Sequence, residues 1–387
     1  MTIAIALGIW AGIFASSIGN GVNKQRLGNV IDSQVSHLQI HGKGFTNAYE
    51  NPPLLNENPA LIEYLDTAQI VKAHTNRTLV TGMVNAPGVG KGVMIRGIVP
   101  NNEAGVTGLK DNLVDGKFFE GTKRNPILMS KNMAEDMNLK VRSKVILVFQ
   151  NAEGEIVRSA FKVVGLYKTA DTRNDQLSVY VRQADLNGLL GLPNNIGHEM
   201  AVMLESPVNL EVAKKSMEAL VNNETRVETW KEIIPGLNAA DTIAKRMNYL
   251  LLLILLAAMS FGIINTMLMA VLERVREFGM LMAVGMNKTK IFGMIMLETV
   301  FLMLTGTPVG ILLSWLSVNY FKRNGLDLTS YSEGFSNMGI KPIIYPYLTP
   351  DYYPKVILLV VIAAFLAAIY PALKAIRLNP AEAIRKI

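Results

Sequence analysis

The chain contains no cysteine, and only 18% of its 387 residues are charged. Without cysteine it forms no disulfide, no thiolate metal site and no cysteine nucleophile, and it cannot carry a lipid-modified N-terminal cysteine. Any domain outside the cell would therefore depend on its own core for stability. Half of the residues are apolar, a balance that favours lipid as the solvent for part of the chain.

The sequence also lacks the motifs of common enzymes and of nucleic-acid binding. The formal charge is +7, but the basic residues are dispersed, so we expect no nucleic-acid partner. No serine-centred elbow, HExxH motif or EF-hand loop occurs. The run Gly88–Gly92 contains a Gly-Lys pair, but Asn85 and Gly92 stand where a phosphate loop needs glycine and Ser or Thr. We predict a flexible surface loop there, and a non-catalytic chain without a cofactor.

His37 and His41 have the spacing that places two metal ligands on one face of a helix. Between them Leu38 and Ile40 alternate with Gln39, which is the period of a strand. In a strand the two imidazoles would lie about 13 Å apart. One metal ion cannot join them at that distance, so we predict no metal site.

Four apolar segments are long enough to cross about 30 Å of hydrocarbon as helices. We predict transmembrane helices at residues 1–22, 249–272, 291–321 and 356–373. The first could instead be a cleaved signal peptide, but it lacks a basic n-region, which favours retention. Its apolar part reaches only about 27 Å as a helix, so we expect a leading segment to be missing.

The basic residues near the spans predict the orientation. The short loop at 273–290 and the tail at 374–387 are rich in lysine and arginine, whereas the loop at 322–355 has fewer for its length. Such a bias places the loop at 273–290 and the tail in the cytoplasm. Residues 23–248 and 322–355 are then extracytoplasmic.

Residues 23–248 alternate apolar runs with turn signals, which is typical of a folded domain. The fold class that we predict is an α-helical membrane protein with four transmembrane helices plus an α+β extracytoplasmic domain, joined to the spans by stalk helices. A break is expected near 120–125, in a polar, turn-prone segment. The predicted strands are 145–149, 161–166, 177–181 and 200–204, and the predicted helices are 60–65, 130–137 and 208–221.

Glu298 lies about 10 Å along the third span, and an acid at that depth is a functional candidate. The alternative is that it reaches the cytoplasmic interface or pairs with Lys288 or Lys290. Pro308 should bend the same span or loosen one of its turns. Two small-xxx-small pairs allow close helix packing, and they are Gly8 with Gly12 and Gly306 with Gly310.

The segment after the second span is the most informative one. Residues 273–277 are densely charged, apolar residues follow at 275, 278, 281 and 282, and Gly285 ends the pattern. This predicts a short amphipathic helix at the cytoplasmic surface. It could lie passively at the interface, or it could be a lever that receives a push from a cytoplasmic partner.

Residues 265–279, NTMLMAVLERVREFG, followed by AVGM at 283–286, resemble the span-two exit and coupling helix of the MacB, FtsX and lipoprotein-releasing family of ABC permeases. The tail, with YPA at 370–372, Ala375 and PAEAIR at 380–385, resembles the end of these permeases. The motifs GKFF, FKVVG and VETWK also occur in the expected order, at 116–119, 161–165 and 227–231. Two departures are the absent basic segment before span one and the ATPase that MacB carries on the same chain.

The resemblance implies a MacB-type periplasmic core domain and an inner (plasma) membrane location. It implies two permeases, identical or paralogous, that bind two copies of a cytoplasmic ABC ATPase subunit, which holds ATP and Mg, with a periplasmic chaperone or adaptor as a further partner. In such machines work is done outside the membrane by mechanotransmission. The ATPase contacts implied on the coupling helix are Glu273, Arg274, Arg276, Glu277, Phe278, Met280, Leu281, Val284 and Gly285.

Within this set we expect polar contacts from Arg274, Arg276 and Glu277, and anchoring of the lever by Phe278 and Val284 together with Leu281. The favoured function is lipoprotein release. Export of peptides, macrolides or other amphiphiles is the main alternative, and signalling to a cell-wall hydrolase is ranked below it. A membrane receptor without an ATPase would also carry such a surface helix.

Overall fold

The computed structural model describes residues 2–45, 52–55, 58–120, 124–151, 153–169, 171–194, 196–331, 342–350 and 352–377. The chain divides into two compact units. The helical unit comprises residues 1–24, 241–329 and 343–387, and the sheet unit comprises residues 25–240 and 330–342. The end of the predicted tail motif, 380–385, lies outside the described residues.

The α-helices in the described part of the chain are α1 (Thr2–Val30), α2 (Pro59–Thr67), α3 (Pro100–Val106), α4 (Lys131–Asp136), α5 (Thr172–Asp175), α6 (Gln183–Leu190), α7 (Leu210–Glu218), α8 (Trp230–Ile233), α9 (Pro235–Glu273), α10 (Val275–Ala283), α11 (Lys288–Asn324) and α12 (Tyr352–Ile376). The strands are β1 (Leu38–Gly42), β2 (Val71–Ala86), β3 (Val89–Ile98), β4 (Leu113–Gly116), β5 (Pro126–Ser130), β6 (Lys144–Gln150), β7 (Ile156–Tyr167), β8 (Ser178–Arg182), β9 (Glu199–Leu204), β10 (Thr225–Thr229), β11 (Leu326–Asp327) and β12 (Ile343–Ile344). A π-helical turn spans Ile31–Val35, and short 3-10 turns span Pro207–Asn209 and Thr329–Tyr331.

Four of the helices, α1, α9, α11 and α12, are long and apolar enough to cross a membrane. They contain the described parts of the four predicted spans, but they extend beyond them. The 39 residues of α9 are about 58 Å long, roughly twice the thickness of the hydrocarbon. Apolar patterning marks only the part of a helix that lies in lipid, so the stalk helices were predicted without residue limits and these longer bounds were not given.

The four predicted packing glycines bring α1 against its neighbours within one chain. A Cβ on Gly306 would lie 3.0 Å from the Thr2 carbonyl oxygen, and one on Gly310 would lie 2.8 Å from the Ala6 carbonyl oxygen. Both glycines therefore set the close approach of α11 to α1. Gly8 faces Met259 and Gly12 faces Leu252, both on α9. α11 continues through Pro308.

Polar side chains fix α1 and α9 at one end of their antiparallel contact. The Asn23 amide donates to Asp241 Oδ1 at 2.5 Å, and Lys245 donates to Asp241 Oδ2 at 2.7 Å. The Asn248 amide donates to the Ser16 carbonyl oxygen at 3.2 Å. These contacts set the register of the two helices in this region.

The sheet unit is built on one sheet with the strand order β10-β1-β9-β2-β3-β8-β5-β7-β4, in which β6 pairs with both β2 and β7. The predicted strands coincide with β6, β7, β8 and β9, and the predicted helices coincide with α2, α4 and α7. The two largest apolar cores of this unit lie against the sheet, one with residues of α4 and α6 and the other with residues of α2, α7 and α8.

One local expectation in this unit was wrong, and another falls partly outside the described residues. The predicted break at 120–125 falls in the connection between β4 and β5, both of which pair with β7, and residues 121–123 lie outside the described residues. The glycine run is not a flexible loop, because residues from Val89 onward form β3 in a tight hairpin with β2. Only Gly88 is in the turn, with a φ of +81° that favours glycine.

The centre of the sheet unit holds a buried cluster of three charged residues. Arg77 on β2 donates from Nε and Nη2 to Glu103 on α3, at 3.0 and 2.7 Å, and from Nη1 to Glu199 on β9 at 3.0 Å. The side chains are at most 2% exposed. Burial alone would lower the pKa of Arg77, but the two carboxylates raise it above its ordinary value, so the guanidinium stays charged.

Three histidines of this unit each contact a different neighbouring group. His37 Nδ1 accepts from the Leu204 amide at 3.0 Å, and His41 Nε2 lies 3.0 Å from Glu228 Oε2. His198 Nδ1 accepts from the Leu79 amide at 2.9 Å. Among the described residues no group of three His, Asp or Glu could hold a metal ion.

We expect His198 to make the sheet unit less stable in acid. Burial lowers the pKa of His198 to about 4 in the folded chain, whereas the pKa of a histidine in an unfolded chain is about 6.5. As the pH falls below the unfolded value, the unfolded chain binds a proton at His198 that the folded chain does not bind. The free energy of unfolding should therefore fall by about 2 kcal/mol between pH 7 and pH 5 through this residue. Asp175 acts in the opposite direction, since burial raises its pKa to about 6.

The measurement is therefore a comparison of His198→Asn with the wild type, using hydrogen exchange of β9 peptides in the detergent-solubilised full chain at both pH values. The Asn side-chain oxygen can still accept the Leu79 amide. An equal acid sensitivity in the two proteins would contradict the assignment to His198.

Candidate functional site

The candidate site is the short helix α10, which is formed by local sequence signals. α9 ends at Glu273 and Arg274 leaves the helical conformation, with ψ near 16°. At the other end the Gly285 amide donates to Met282 and the Met286 amide donates to Leu281, at 3.1 and 2.9 Å. This is a Schellman motif, and Gly285 has the φ of +98° that it requires.

The next helix begins at once. The Asn287 side chain accepts from the Thr289 amide at 3.2 Å and caps the N-terminus of α11. The predicted coupling segment, 273–290, therefore contains a helix of nine residues, and its remaining residues belong to the ends of α9 and α11 or to the tight connections. Each end of α10 is joined to a long span through a very short link.

α10 buries one side against the helical unit. Phe278 is 3% exposed and belongs to the core formed by the four spans, and Leu281 packs against that core. Val275 and Gly279 are also buried. Val275 lies about one turn before both Phe278 and Gly279, so the three residues share one side of the helix. The anchoring expected of Phe278 and Leu281 agrees with this packing.

The opposite side of α10 is exposed and carries both charges and apolar groups. Val284 is 89% exposed, so it does not pack against the four spans as Phe278 and Leu281 do, and its anchoring role stays a prediction. It is the C-cap residue, where the chain leaves the helix, and the helical spacing from Leu281 no longer sets its direction. The other exposed residues of the predicted contact set are Glu273, Arg274, Arg276, Glu277, Met280 and Gly285.

Glu298 is paired, but not with the partner that the sequence suggested. Arg274 Nη1 lies 3.4 Å from Glu298 Oε1, and the two side chains are 52% and 43% exposed. Lys288 is ten residues away on the same helix, about 15 Å along the axis, which is too far for an ion pair. The long Arg274 side chain reaches Glu298 from the corner between α9 and α10, and it ties that corner to α11.

The surface of α10 has the chemistry of a docking site. Arg276 and Glu277 offer charges of both signs, and Met280 and Val284 offer apolar contact area beside them. Such a mixed surface suits recognition of a protein.

Comparisons with known proteins agree with this organisation. Residues 249–380 match the FtsX-like permease C-terminal family, and residues 1–220 match the MacB-like periplasmic core domain family. The chain is 26% identical to the lipoprotein-releasing system transmembrane protein LolC of Neisseria meningitidis, over 98% of this chain and 92% of that protein. It is 23% identical to the macrolide export ATP-binding/permease protein MacB of Campylobacter jejuni, over 99% of this chain and 58% of that protein.

Among solved structures, the periplasmic region of MacB from Actinobacillus actinomycetemcomitans matches with 16% identity and a TM-score of 0.37, over 57% of this chain and 97% of that structure. The core-domain match covers more than half of the chain, and the permease match covers α10 and the three spans around it. The chain therefore belongs to the ABC transporter permeases of the LolC, MacB and FtsX type, as a membrane protein with an extracytoplasmic MacB-type α+β domain.

Proposed function

We propose that the chain is the transmembrane subunit of a lipoprotein-releasing machine of the inner membrane, driven by a separate ATPase that docks on α10. The observation that carries the proposal is the junction of α9, α10 and α11. A short helix with a buried inner side and a mixed, exposed outer side is linked at both ends to spans. A force applied to it is passed directly to α9 and α11.

α9 is the natural path for this movement. It continues without interruption from Pro235 to Glu273, so displacement at its cytoplasmic end reaches its extracytoplasmic end. α1 follows because Asn23 is bonded to Asp241 and Asn248 to the Ser16 carbonyl. The two helices thus act as one lever, which is the basis of mechanotransmission without a central pore.

Lipoproteins are the substrate class that we favour. The LolC relative matches over almost the full length of both chains, whereas the MacB relative is matched over 58% of its length. In the proposed machine two permease chains bind two ATPase copies, which hold ATP and Mg, and a periplasmic chaperone or adaptor receives the lipoprotein. Export of peptides or macrolides is the second candidate, supported by the MacB relative.

Charge reversal on α10 tests the docking site. We expect Arg276→Glu to lower the recovery of the ATPase with the tagged permease by about tenfold, since an interface charge that turns repulsive costs at least about 1.4 kcal/mol. Arg276→Lys should retain most of the recovery. Recovery is measured by mass spectrometry after purification from native membranes in mild detergent.

The matched control is Lys322→Glu, which reverses an exposed charge near the other end of α11 and should leave ATPase recovery unchanged. Undiminished recovery with Arg276→Glu would refute docking through this residue. If crosslinked wild-type membranes yield no ATPase, a receptor function replaces the machine. Co-purifying lipoproteins would favour release over the export of macrolides or peptides.

A further inference from the structure

The chain between α1 and β1 contains a strained residue. The π-helical turn at Ile31–Val35 is closed by the Ser36 amide, which donates to the Ile31 carbonyl at 2.8 Å, a spacing of five residues. Ser36 has a φ of +65° and a ψ of −176°, a backbone conformation that is essentially restricted to glycine. The Ser36 side chain therefore strains the backbone at the point where the helix meets the sheet.

No hydrogen bond of the Ser36 side chain compensates for this strain. The side chain is fully buried, and its hydroxyl has no hydrogen-bond partner among the described residues. A glycine would adopt the same backbone conformation without strain. Strain of this kind persists only where the surrounding structure holds it in place, and it is concentrated at sites where proteins change conformation.

The sheet holds one side of this residue. The His37 amide donates to the Val202 carbonyl at 3.1 Å, and the His37 carbonyl accepts from the Trp230 amide at 3.1 Å. β1 pairs with both β9 and β10, and all of its residues are buried. A slip of β1 by one residue would turn its side chains to the opposite face. Any movement of α1 against β1 must therefore be absorbed between the end of α1 and His37.

The other side of Ser36 has an alternative hydrogen-bond arrangement. The Asp32 carbonyl lies one residue closer to Ser36 than the Ile31 carbonyl does, and it accepts from the Gly108 amide at 3.1 Å. When the Gly108 amide is released, the Asp32 carbonyl can accept from the Ser36 amide at the four-residue spacing of an α-helix. The tighter turn lets Ser36 leave the strained conformation. It also shifts α1 by up to one residue, about 1.5 Å along its axis.

We propose that residues 31–36 form a two-state joint between α1 and β1, in which Ser36 is strained in the resting state and is relieved when the π-turn tightens to an α-turn. This inference rests on the proposed function, in which the working movement of α1 releases the Gly108 amide and the strain at Ser36 offsets part of the cost. The joint shares an apolar core with α8 through Ile31, Val35, Trp230 and Ile233. A change in the joint therefore also displaces the short helix that leads into α9.

Two substitutions of Ser36 separate the strain from the hydroxyl group. Ser36→Gly removes the strain of the π-turn and disfavours the α-turn, so the joint should open less often. We expect hydrogen exchange of the Gly108 amide in the detergent-solubilised full chain to slow by about tenfold. Ser36→Ala is the matched control, because it removes the hydroxyl and keeps the Cβ atom that causes the strain. It should change the exchange of Gly108 little.

The Leu79 amide, which donates to His198 inside the sheet unit, reports opening of the sheet itself. Its exchange should slow much less than that of Gly108 in Ser36→Gly. Equal slowing of the two amides would show that the strain affects only the overall stability, and this result would overturn the inference. Equal effects of Ser36→Gly and Ser36→Ala on Gly108 would overturn it as well.

A second measurement tests the use of the joint in the working movement. In the complex of the wild-type chain with its ATPase, a non-hydrolysable ATP analogue should speed the exchange of Gly108 and leave that of Leu79 unchanged. Unchanged exchange of Gly108 in this complex rejects the role of the joint. If no ATPase is recovered, the proposed function fails, and the contrast between Ser36→Gly and Ser36→Ala still decides whether the two-state joint exists.

Discussion

Replacement of Arg77 by methionine should unfold the sheet unit under conditions in which the wild-type chain is stable. The change leaves Glu103 and Glu199 buried without the cation that they share. Breaking a buried ion pair by removal of one partner costs about 3–5 kcal/mol, a large part of the roughly 5–15 kcal/mol that stabilises a typical domain. The readout is hydrogen exchange of β2 and β9 peptides in the detergent-solubilised full chain.

The control for this prediction removes the stranded charges. In the triple variant with Arg77→Met, Glu103→Gln and Glu199→Gln no charge remains at the site, so most of the protection should return. Peptides of α12, which belongs to the helical unit, should exchange as in the wild type in both variants. Normal protection in Arg77→Met alone would show that the ion cluster does not hold the sheet together. A triple variant as unstable as the single one would show that the stranded carboxylates are not the cause of the loss.

This cluster could not be predicted from the sequence because its members are distant along the chain. Arg77 is separated by 26 residues from Glu103 and by 122 residues from Glu199. Strand patterning shows that Arg77 can point to one face of the sheet, but not which strand lies beside it. The contact depends on the pairing of β2 with β9, and non-local pairing leaves no local signal.

Elements with a local cause were predicted well. The spans follow from apolar length, and β6 to β9 follow from apolar runs between turns. The predicted helix 130–137 also begins where expected, since Ser130 accepts from the Met133 amide at 3.1 Å and caps α4. The glycine run was misjudged because Gly88 alone forms the turn, while strand pairing with β2 holds Gly90 and Gly92 extended.

In the candidate site, too, the features that depend on local sequence were predictable and those that depend on packing were not. The existence of α10 and its end at Gly285 are encoded locally, by periodicity and by a residue that tolerates a positive φ. The pairing of Arg274 with Glu298 and the exposure of Val284 are set by how α9, α10 and α11 pack.

The second large effect is expected from Gly310→Leu, which should separate α1 from α11. Even a Cβ at this position would lie 2.8 Å from both the Ala6 carbonyl oxygen and Ile9 Cβ. The end of a flexible side chain could move aside, but the backbone of α1 and the Cβ atom of Ile9, which is attached to it, cannot. Overpacking of this kind costs about 1–3 kcal/mol or more, so the thermal unfolding temperature of the purified chain should fall by several degrees.

Two matched variants make the origin of that loss clear. Gly293→Leu places the same side chain on the same helix, at an exposed position with nothing within 4 Å of the new Cβ, and should leave the unfolding temperature nearly unchanged. In Gly8→Ala the three atoms nearest to the new Cβ all belong to the Met259 side chain, which can shift, so its effect should be small. Because leucine favours a helix more than glycine does, equal losses for Gly310→Leu and Gly293→Leu would show that the loss does not come from the α1–α11 contact. A loss confined to Gly310→Leu would identify this contact as the one that holds the first span in place.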